Sequence, residues 1–213
     1  MGTVTLPRVV PAPSGKPVRA GSKETQGRVR RIAQDPASWT KEAAAASAAR
    51  FDTLSELWDE ERAAYRPAPL ADALARGGPL PAGTCVELGS GTGVLTPLLL
   101  ERWPETICVD LSAGMLRKAR AGLLVRADSA RLPLASDRAA VVVLGDTPLF
   151  AAEVVRILQR DGVVIWANAL GIDAPHFLPT DVLLVAFERA TSRRWDAVES
   201  DALWGHWVVL RPQ

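Results

Sequence analysis

Cysteine and histidine are scarce in this 213-residue chain, with two of each: Cys85 and Cys108, His176 and His206. A structural zinc site needs four nitrogen or sulfur ligands held close together. With no Cys-x-x-Cys pair and the histidines thirty residues apart, none can be assembled, so no metal is expected. Each cysteine sits inside an apolar run, the placement of a small core hydrophobe, and free thiols in a reducing compartment are the expectation. No stretch approaches the ~18 consecutive apolar residues of a membrane span. Pro7, Pro11, Pro13 and Pro17 break up the first residues, where a secretory signal would carry its apolar core, so a soluble, cytoplasmic chain is expected. Lysine is also sparse, with four residues, of which only Lys118 follows residue 41.

Apolar residues make up 48% of the chain and charged residues 23%, which excludes disorder throughout and allows one large domain with an appendage. The net charge of +1 hides an asymmetry. Residues 1–34 carry Arg8, Lys16, Arg19, Lys23, Arg28, Arg30 and Arg31 against the single acid Glu24, whereas the remainder is mildly acidic. This reads as a flexible basic arm rich in Pro and Gly, solvated or touching an acidic surface.

Order is expected from Asp35-Pro36, an acidic helix cap followed by proline in the first turn. A helix is expected over Lys41–Tyr65, with Phe51, Leu54 and Trp58 on one face and Asp59, Glu60, Glu61 and Arg62 on the other. Pro67 and Pro69 end it, and a short helix Leu70–Arg76 is closed by Gly77-Gly78. Residues 35–80 thus form a helical cap ahead of a core at 81–213. In that core, apolar runs at Thr84–Leu88, Thr106–Val109, Leu123–Arg126, Ala140–Leu144 and Val163–Ala167 alternate with helical segments at Val94–Arg102, Ala113–Ala121 and Leu149–Arg160. Runs without polar alternation are buried on both faces, and their alternation with helices predicts an α/β fold on a parallel sheet. A helix from Thr180 follows, and Trp195–Ser200 and His206–Arg211 flank a turn at Gly205 as an antiparallel pair.

The segment Glu87-Leu88-Gly89-Ser90-Gly91-Thr92-Gly93-Val94 runs from a buried strand through a glycine turn into a helix. In a doubly wound sheet that turn lies at the carboxyl ends of the strands, where ligands bind. Val94 stands where a dinucleotide fingerprint needs Gly or Ala, and a P-loop lysine is missing. Asp110 closes the next strand and is followed by Leu111-Ser112-Ala113-Gly114-Met115, while Asp128-Ser129 closes the third. An acid at the second position accepts ribose hydroxyls. Aligning Glu87 with Asp110 at the tops of neighbouring strands puts Cys85 and Cys108 side by side on one face.

Together these three segments closely resemble the cofactor motifs of class I S-adenosylmethionine-dependent methyltransferases, and the resemblance spans roughly Phe51 to Arg211. It implies a Rossmann-like, doubly wound, mostly parallel seven-stranded sheet with a C-terminal antiparallel hairpin and an N-terminal helical cap. It further implies that Glu87, Gly89, Gly91 and Gly93 hold the amino-acid end of S-adenosylmethionine (product S-adenosylhomocysteine) and that Asp110 binds the ribose. Leu111 and Met115 would pack on adenine, Asp128 and Ser129 would meet its edge, and Gly145-Asp146-Thr147 would pass near the sulfonium and the acceptor. A tyrosine is commoner in the family where Trp58 stands.

Three nucleic-acid classes are disfavoured. The core cannot supply a Lys-Asp-Lys-Glu set, the fourth strand ends in Gly145-Asp146-Thr147-Pro148 rather than Asn/Asp-Pro-Pro-aromatic, and both cysteines are buried. The linker Asn168–Pro179 is the expected substrate wall. His176 within it and Asp146 are the candidate catalytic bases, with Tyr65 behind them. Without an inserted domain, the acceptor cavity falls to residues 35–77 and that linker, where Trp39, Phe51, Trp58 and Phe177 suit a small, partly apolar molecule. The sequence therefore reads as a methyltransferase acting on an O or N nucleophile of a small molecule. A protein or RNA methyltransferase using the basic arm and a non-catalytic cofactor-binding module remain as alternatives. His206, between Trp204 and Trp207, is read as structural.

Overall fold

The computed structural model describes residues 2–15, 23–57 and 64–213. Lys16, Pro17 and Arg19 of the basic arm, and Trp58, Asp59, Glu60, Glu61 and Arg62 of the expected cap helix, lie outside the described residues.

The chain runs from a short strand β1 (Thr3–Thr5) to helix α1 (Lys23–Gln34), a 3-10 turn at Pro36–Ser38, and helices α2 (Lys41–Leu54) and α3 (Pro67–Arg76). The core follows as β2 (Cys85–Leu88), α4 (Thr96–Leu100), β3 (Ile107–Asp110), α5 (Ala113–Lys118), β4 (Leu123–Arg126), β5 (Ala139–Gly145), α6 (Ala151–Ile157) and β6 (Leu158–Asn168). Helix α7 (Thr180–Thr191) and the hairpin β7 (Trp195–Ala202) and β8 (Gly205–Pro212) complete it. The strands form one sheet in the order β1-β7-β8-β6-β5-β2-β3-β4, in which β8 alone runs antiparallel, to both β6 and β7.

Every residue of β5 is buried, because helices cover both faces of the sheet. Val142 and Leu144 face the layer of Val154, Ile157, Leu183 and Phe187 from α6 and α7. Val141 and Val143 face the layer of Leu70, Ala73 and Leu99 from α3 and α4. This period-two division of one strand between two cores is what a doubly wound fold requires.

Three expectations need correction. The sheet has eight strands rather than seven, and the extra one comes from the supposed arm: β1 pairs parallel with β7, Thr3 opposite Ala197. The rest of that arm holds α1, which buries Val29 and Ile32 against the core, so residues 1–34 do not form a simple flexible arm. Thr3, Val4 and Thr5 are exposed, and backbone pairing with side-chain contacts such as Thr5 to Glu199 (2.8 Å) holds them. Finally, Glu87 pairs with Cys108, not with Asp110. The cysteines share a face but stand two positions out of level, because the return of β3 after α4, rather than the matching of acids, sets the register. Both thiols are free and buried. Burial pushes Cys108 up to about 12 and Cys85 higher still.

Among the described residues, no helix is long and apolar enough to cross a membrane, and no His, Cys, Asp and Glu side chains cluster in a way that could hold a metal.

Candidate functional site

The site is built at the carboxyl ends of β2, β3, β4 and β5. After Leu88 the chain turns sharply, with Gly89 at φ +71° and Gly91 at φ +59°. The amides of Gly89 and Ser90 both donate to Val109 O (2.9 and 3.0 Å), which folds the turn over the top of β3. A Cβ on Gly89 would lie 2.6 Å from Thr147 Cβ, so this residue must be glycine for both conformational and steric reasons.

Asp110 ends β3 and ties the turn to the next helix: Gly91 N donates to Oδ2 (2.8 Å) and Ser112 N to Oδ1 (2.7 Å). Burial raises its proton affinity, while those two amides and Arg66 oppose the rise. Leu111 and the fully buried Met115 lie beside it. Beyond β4, the Asp128 carboxylate accepts the Trp39 indole N–H (3.1 and 3.0 Å to its two oxygens) and the Ala130 amide (2.9 Å). Trp39 also packs tilted on Phe150, 5.7 Å between centroids.

The opposite wall begins at Asp146, a non-glycine residue at φ +50° just after β5. Trp166 Nε1 donates to Asn168 Oδ1 (2.8 Å), which orients the buried amide so that Nδ2 donates to Asp146 Oδ1 (3.2 Å). The other carboxylate oxygen faces Arg66 Nη2 at 3.5 Å. His176 completes this wall from the linker after β6. Desolvation pushes it down to about 4, assisted by Arg66, Arg28 and Arg50 and opposed by Asp146, so its imidazole is neutral at pH 7.

The cap roofs the pocket through α2. Asp52 accepts the Ser112 hydroxyl (2.5 Å) and the Gly114 amide (2.6 Å), and a Cβ on Gly114 would meet Asp52 Cα at 2.9 Å. The helix therefore docks directly on the first turn of α5. The hydrogen bonds from Ser112 and Gly114 hold the Asp52 carboxyl below the usual carboxylate range.

The enclosed space, with its open mouth, amounts to about 640 Å³. It brings together Gly89, Gly91, Asp110, Leu111, Met115, Asp128, Ser129, Asp146 and His176, all singled out from the sequence, together with Trp39, Phe51 and Thr147. Three expected cofactor positions lie behind its wall. Glu87 is 1% exposed, and its Oε2 accepts from Thr96 Oγ1 (2.7 Å) and Cys108 Sγ (3.7 Å) under the turn. Burial pushes it up to about 7. Gly93 packs on Thr96 and Ala119, and Gly145 lies beneath Leu95. Phe177 turns away to His206, and Tyr65 packs edge-on against Trp204. Sequence reasoning passed over Ser47, Arg66, Pro148 and Phe150. For Arg66, the available signal was a charged residue caught between Tyr65 and Pro67 at the start of a buried helix.

Residues 85–162 match the family model described as a methyltransferase domain. Trans-aconitate 2-methyltransferase of Azoarcus sp. (strain BH72) is 34% identical over 134 residues, which cover 55% of this chain and 53% of that protein. The chain thus spans about half the length of that curated relative. Among solved structures, a Thermotoga maritima methyltransferase described as a possible histamine N-methyltransferase superposes with a TM-score of 0.60 at 16% identity, covering 76% of this chain and 98% of that one. A S-adenosyl-L-methionine-dependent methyltransferase fold from Methanococcus maripaludis gives 0.56 at 17% identity, with 81% and 93% covered.

Proposed function

We propose that this chain, which carries a class I S-adenosylmethionine-dependent methyltransferase domain, transfers the methyl group to a small-molecule acceptor held between that domain and its N-terminal cap. The observation that carries this reading is the convergence of the glycine turn, Asp110, Asp128 and Asp146 on one pocket roofed by α2. A relative named for a small acid, trans-aconitate, supports an acceptor of that size.

The residues present suit the cofactor. Gly89 and Gly91 line the pocket without a side chain of their own, Gly89 packing too closely on Thr147 to carry a Cβ, and the buried Ser90 Oγ within the turn has no hydrogen-bond partner among the described residues. In this reading Gly89 and Gly91 admit the amino-acid end, Asp110 accepts from the ribose hydroxyls, Leu111 and Met115 flank the base, and Asp128 and Ser129 meet its edge. S-adenosylmethionine supplies an electrophilic methyl group on a sulfonium.

The protein's own contribution is orientation and exclusion of water, since in-line displacement depends on alignment of the reacting atoms. Trp39, Phe51 and Phe150 close the pocket with apolar surface. His176, with an affinity for protons lowered to about 4, is a weak base that serves as a neutral hydrogen-bond acceptor for the substrate. Asp146 is held by Asn168 and faces Arg66, which makes it a positioning residue for that wall. Such a site favours an acceptor whose nucleophilic atom is already unprotonated at neutral pH.

Calorimetric titration of S-adenosylhomocysteine into the full chain tests the reading, with Asp110→Ala as control, followed by a screen of small acceptors with a methyl-labelled donor. Micromolar binding that is lost in the variant is the expected result. No binding to the unaltered protein refutes the proposal, and binding without transfer to any acceptor favours a cofactor-binding module.

A further inference from the structure

Trp39 belongs to the cap, between the 3-10 turn and α2, yet its side chain ends beyond β4. Its backbone N–H closes the turn on Pro36 O (3.1 Å), and Thr40 beside it caps α2. The ring packs on Phe150, which is itself buried. The indole N–H is shared by both oxygens of Asp128, at 3.1 Å from Oδ1 and 3.0 Å from Oδ2. A phenylalanine would also pack on Phe150, and what tryptophan adds is this N–H. The carboxylate it meets has about four acceptor positions. Oδ1 takes the Ala130 amide (2.9 Å) as well as its share of the indole, whereas Oδ2 takes the indole alone among the described residues. Two donors on unlike sets of positions fix the rotation of the carboxylate. One side is filled, and the other keeps room for a further donor on a residue that lines the pocket.

The order of the strand ends says what that donor is. The glycine turn follows β2, Asp110 ends β3 and Asp128 follows β4, and these three strands are neighbours in the sheet. With neighbouring strands about 4.8 Å apart, ~10 Å separates the turn from the level of Asp128, which is the scale of a nucleoside. A nucleoside whose ribose meets Asp110 therefore carries its base to Asp128. Adenine offers an exocyclic amino N–H at its edge. Hypoxanthine offers a keto oxygen in the same place, and a carboxylate held still repels it.

We propose that Trp39 is a positioning residue for the base of the cofactor: its indole N–H, with the Ala130 amide, holds Asp128 so that the open side of Oδ2 is offered to the adenine amino group. The inference rests on the cofactor reading above and gives the cap a part in choosing the base. Trp39 acts through Asp128 and takes no part in the transfer itself. Without the indole the carboxylate is free to rotate, and a rotating carboxylate turns away from a keto oxygen or admits water beside it. Discrimination between bases is thus what the N–H contributes beyond fastening the cap.

The test titrates two nucleosides calorimetrically into the full chain and into the variants Trp39→Phe and Asp128→Asn. One is S-adenosylhomocysteine and the other S-inosylhomocysteine, in which a keto oxygen replaces the exocyclic amine. The parent should bind the adenine nucleoside about tenfold or more tightly, since a hydrogen bond to a charged acceptor gives way to repulsion. Trp39→Phe should shrink that ratio by about threefold or more. In Asp128→Asn the indole and the Ala130 amide both claim the side-chain oxygen and turn Nδ2 to the open side, where it donates to a keto oxygen, so the preference should vanish or reverse. Thermal melting shows that each variant is folded at the titration temperature. Asp128→Asn, nearly the same shape as the parent, tests the same geometry where Trp39→Phe does not fold.

Any of three results overturns the inference: the parent binds the two nucleosides alike, Trp39→Phe leaves their ratio as it was even where both affinities fall, or Asp128→Asn keeps the parent's preference. The second would reduce Trp39 to a fastening of the cap. Failure of the cofactor reading looks different, because neither nucleoside would then bind the unaltered protein at all.

Discussion

Replacing Glu87 with Gln tests whether the carboxyl beneath the glycine turn is a neutral acid in the folded protein. Glu87 is 1% exposed on a strand that is buried throughout. Desolvation pushes it from 4.5 up to about 7, and the Thr96 hydroxyl, the Cys108 thiol and Arg66 only partly pull it back. A folded-state value above the unfolded one means that the stabilising contribution is complete below about 4.5 and is lost as pH rises through about 7. At 1.36 kcal/mol for each unit, ionising Glu87 in the fold by pH 8 removes on the order of 3 kcal/mol, about 2.5 of it between pH 5 and pH 8. Gln keeps an oxygen to accept from Thr96 and cannot ionise. The variant should therefore match the parent near pH 5 and exceed it by roughly that amount at pH 8.

His176 makes the parent's own profile misleading. Its value is lowered from 6.5 to about 4, so its contribution is present above 6.5 and is lost as pH falls towards 4. At pH 5 that loss is about 2 kcal/mol. The two groups impose opposite slopes over nearly the same window, and the parent should look nearly indifferent to pH there. Glu87→Gln should expose the histidine's rise with pH, and His176→Gln the glutamate's fall. Urea unfolding at pH 5, 6, 7 and 8, followed by emission of the buried Trp166, Trp195 and Trp207, reads both. Parallel profiles for parent and Glu87→Gln, offset by a constant, would refute the reasoning.

Gly89→Ala should destabilise the chain by about 2 kcal/mol, from positive φ and the collision with Thr147, and should lose S-adenosylhomocysteine binding more completely than stability alone explains. Calorimetry beside thermal melting separates the two effects, and unchanged affinity would remove the turn from the site. Asp52→Ala leaves the Ser112 hydroxyl and Gly114 amide without their acceptor and should cost about 2 kcal/mol. Hydrogen exchange should speed up at the first turn of α5 and along α2, and unaltered protection there would mean that the cap does not dock through this carboxylate. Deleting residues 2–10 removes β1, the Arg8–Asp201 pair and the bond from Ser200 to Leu6 O, and should lower the melting temperature by several degrees while sparing cofactor affinity. A melting curve that coincides with the parent's would return β1 to the status of a solvated tail.

What could be read from the sequence was what is local. The runs at β2 and β3 declare themselves by their apolar burial, and the glycine turn and strand-end acids follow within a few residues of them, whereas β4, read as buried on both faces, is the sheet's edge strand and leaves Leu123 and Leu124 exposed. Thr3–Thr5 declares nothing, because an edge strand with exposed side chains is held by backbone pairing to residues about 190 positions away. Helix α1 hides its two buried residues, Val29 and Ile32, among basic neighbours that outweigh them in any average. β6 was expected from Val163 and begins at Leu158, since exposed Gln159, Arg160 and Asp161 look like helix surface until β5 pairs Ala139 with Leu158. Glu87 was matched to Asp110 by chemistry, whereas the strand pairing sets Glu87 opposite Cys108, two residues before the acid that ends β3.

Arg66 shows most clearly why the pocket was not wholly legible. Its place between Tyr65 and Pro67 lies in the stretch expected to form the cavity but does not say which wall it joins; it arrives there because α3 lays Pro69 and Leu70 against β8 and β6. The same holds for its companions, and the three contacts form a pattern. Trp39 reaches Asp128 beyond β4, Asp52 reaches Ser112 and Gly114 beyond β3, and Arg66 reaches Asp146 beyond β5. Successive parts of the cap each satisfy one polar group at the carboxyl end of a different strand. The core thus presents unfilled acceptors and donors around its rim, and the cap fastens at three points that encircle the pocket. A cap held this way is positioned by the same loops that the proposed cofactor would touch, so in that reading the geometry of the acceptor wall would be coupled to occupancy of the cofactor site through Asp110, Ser112 and Asp128. In the proposed reading, selectivity for the acceptor then falls to Trp39, Ser47, Phe51 and Arg66, where the chain's local sequence says least about where its side chains will meet the core.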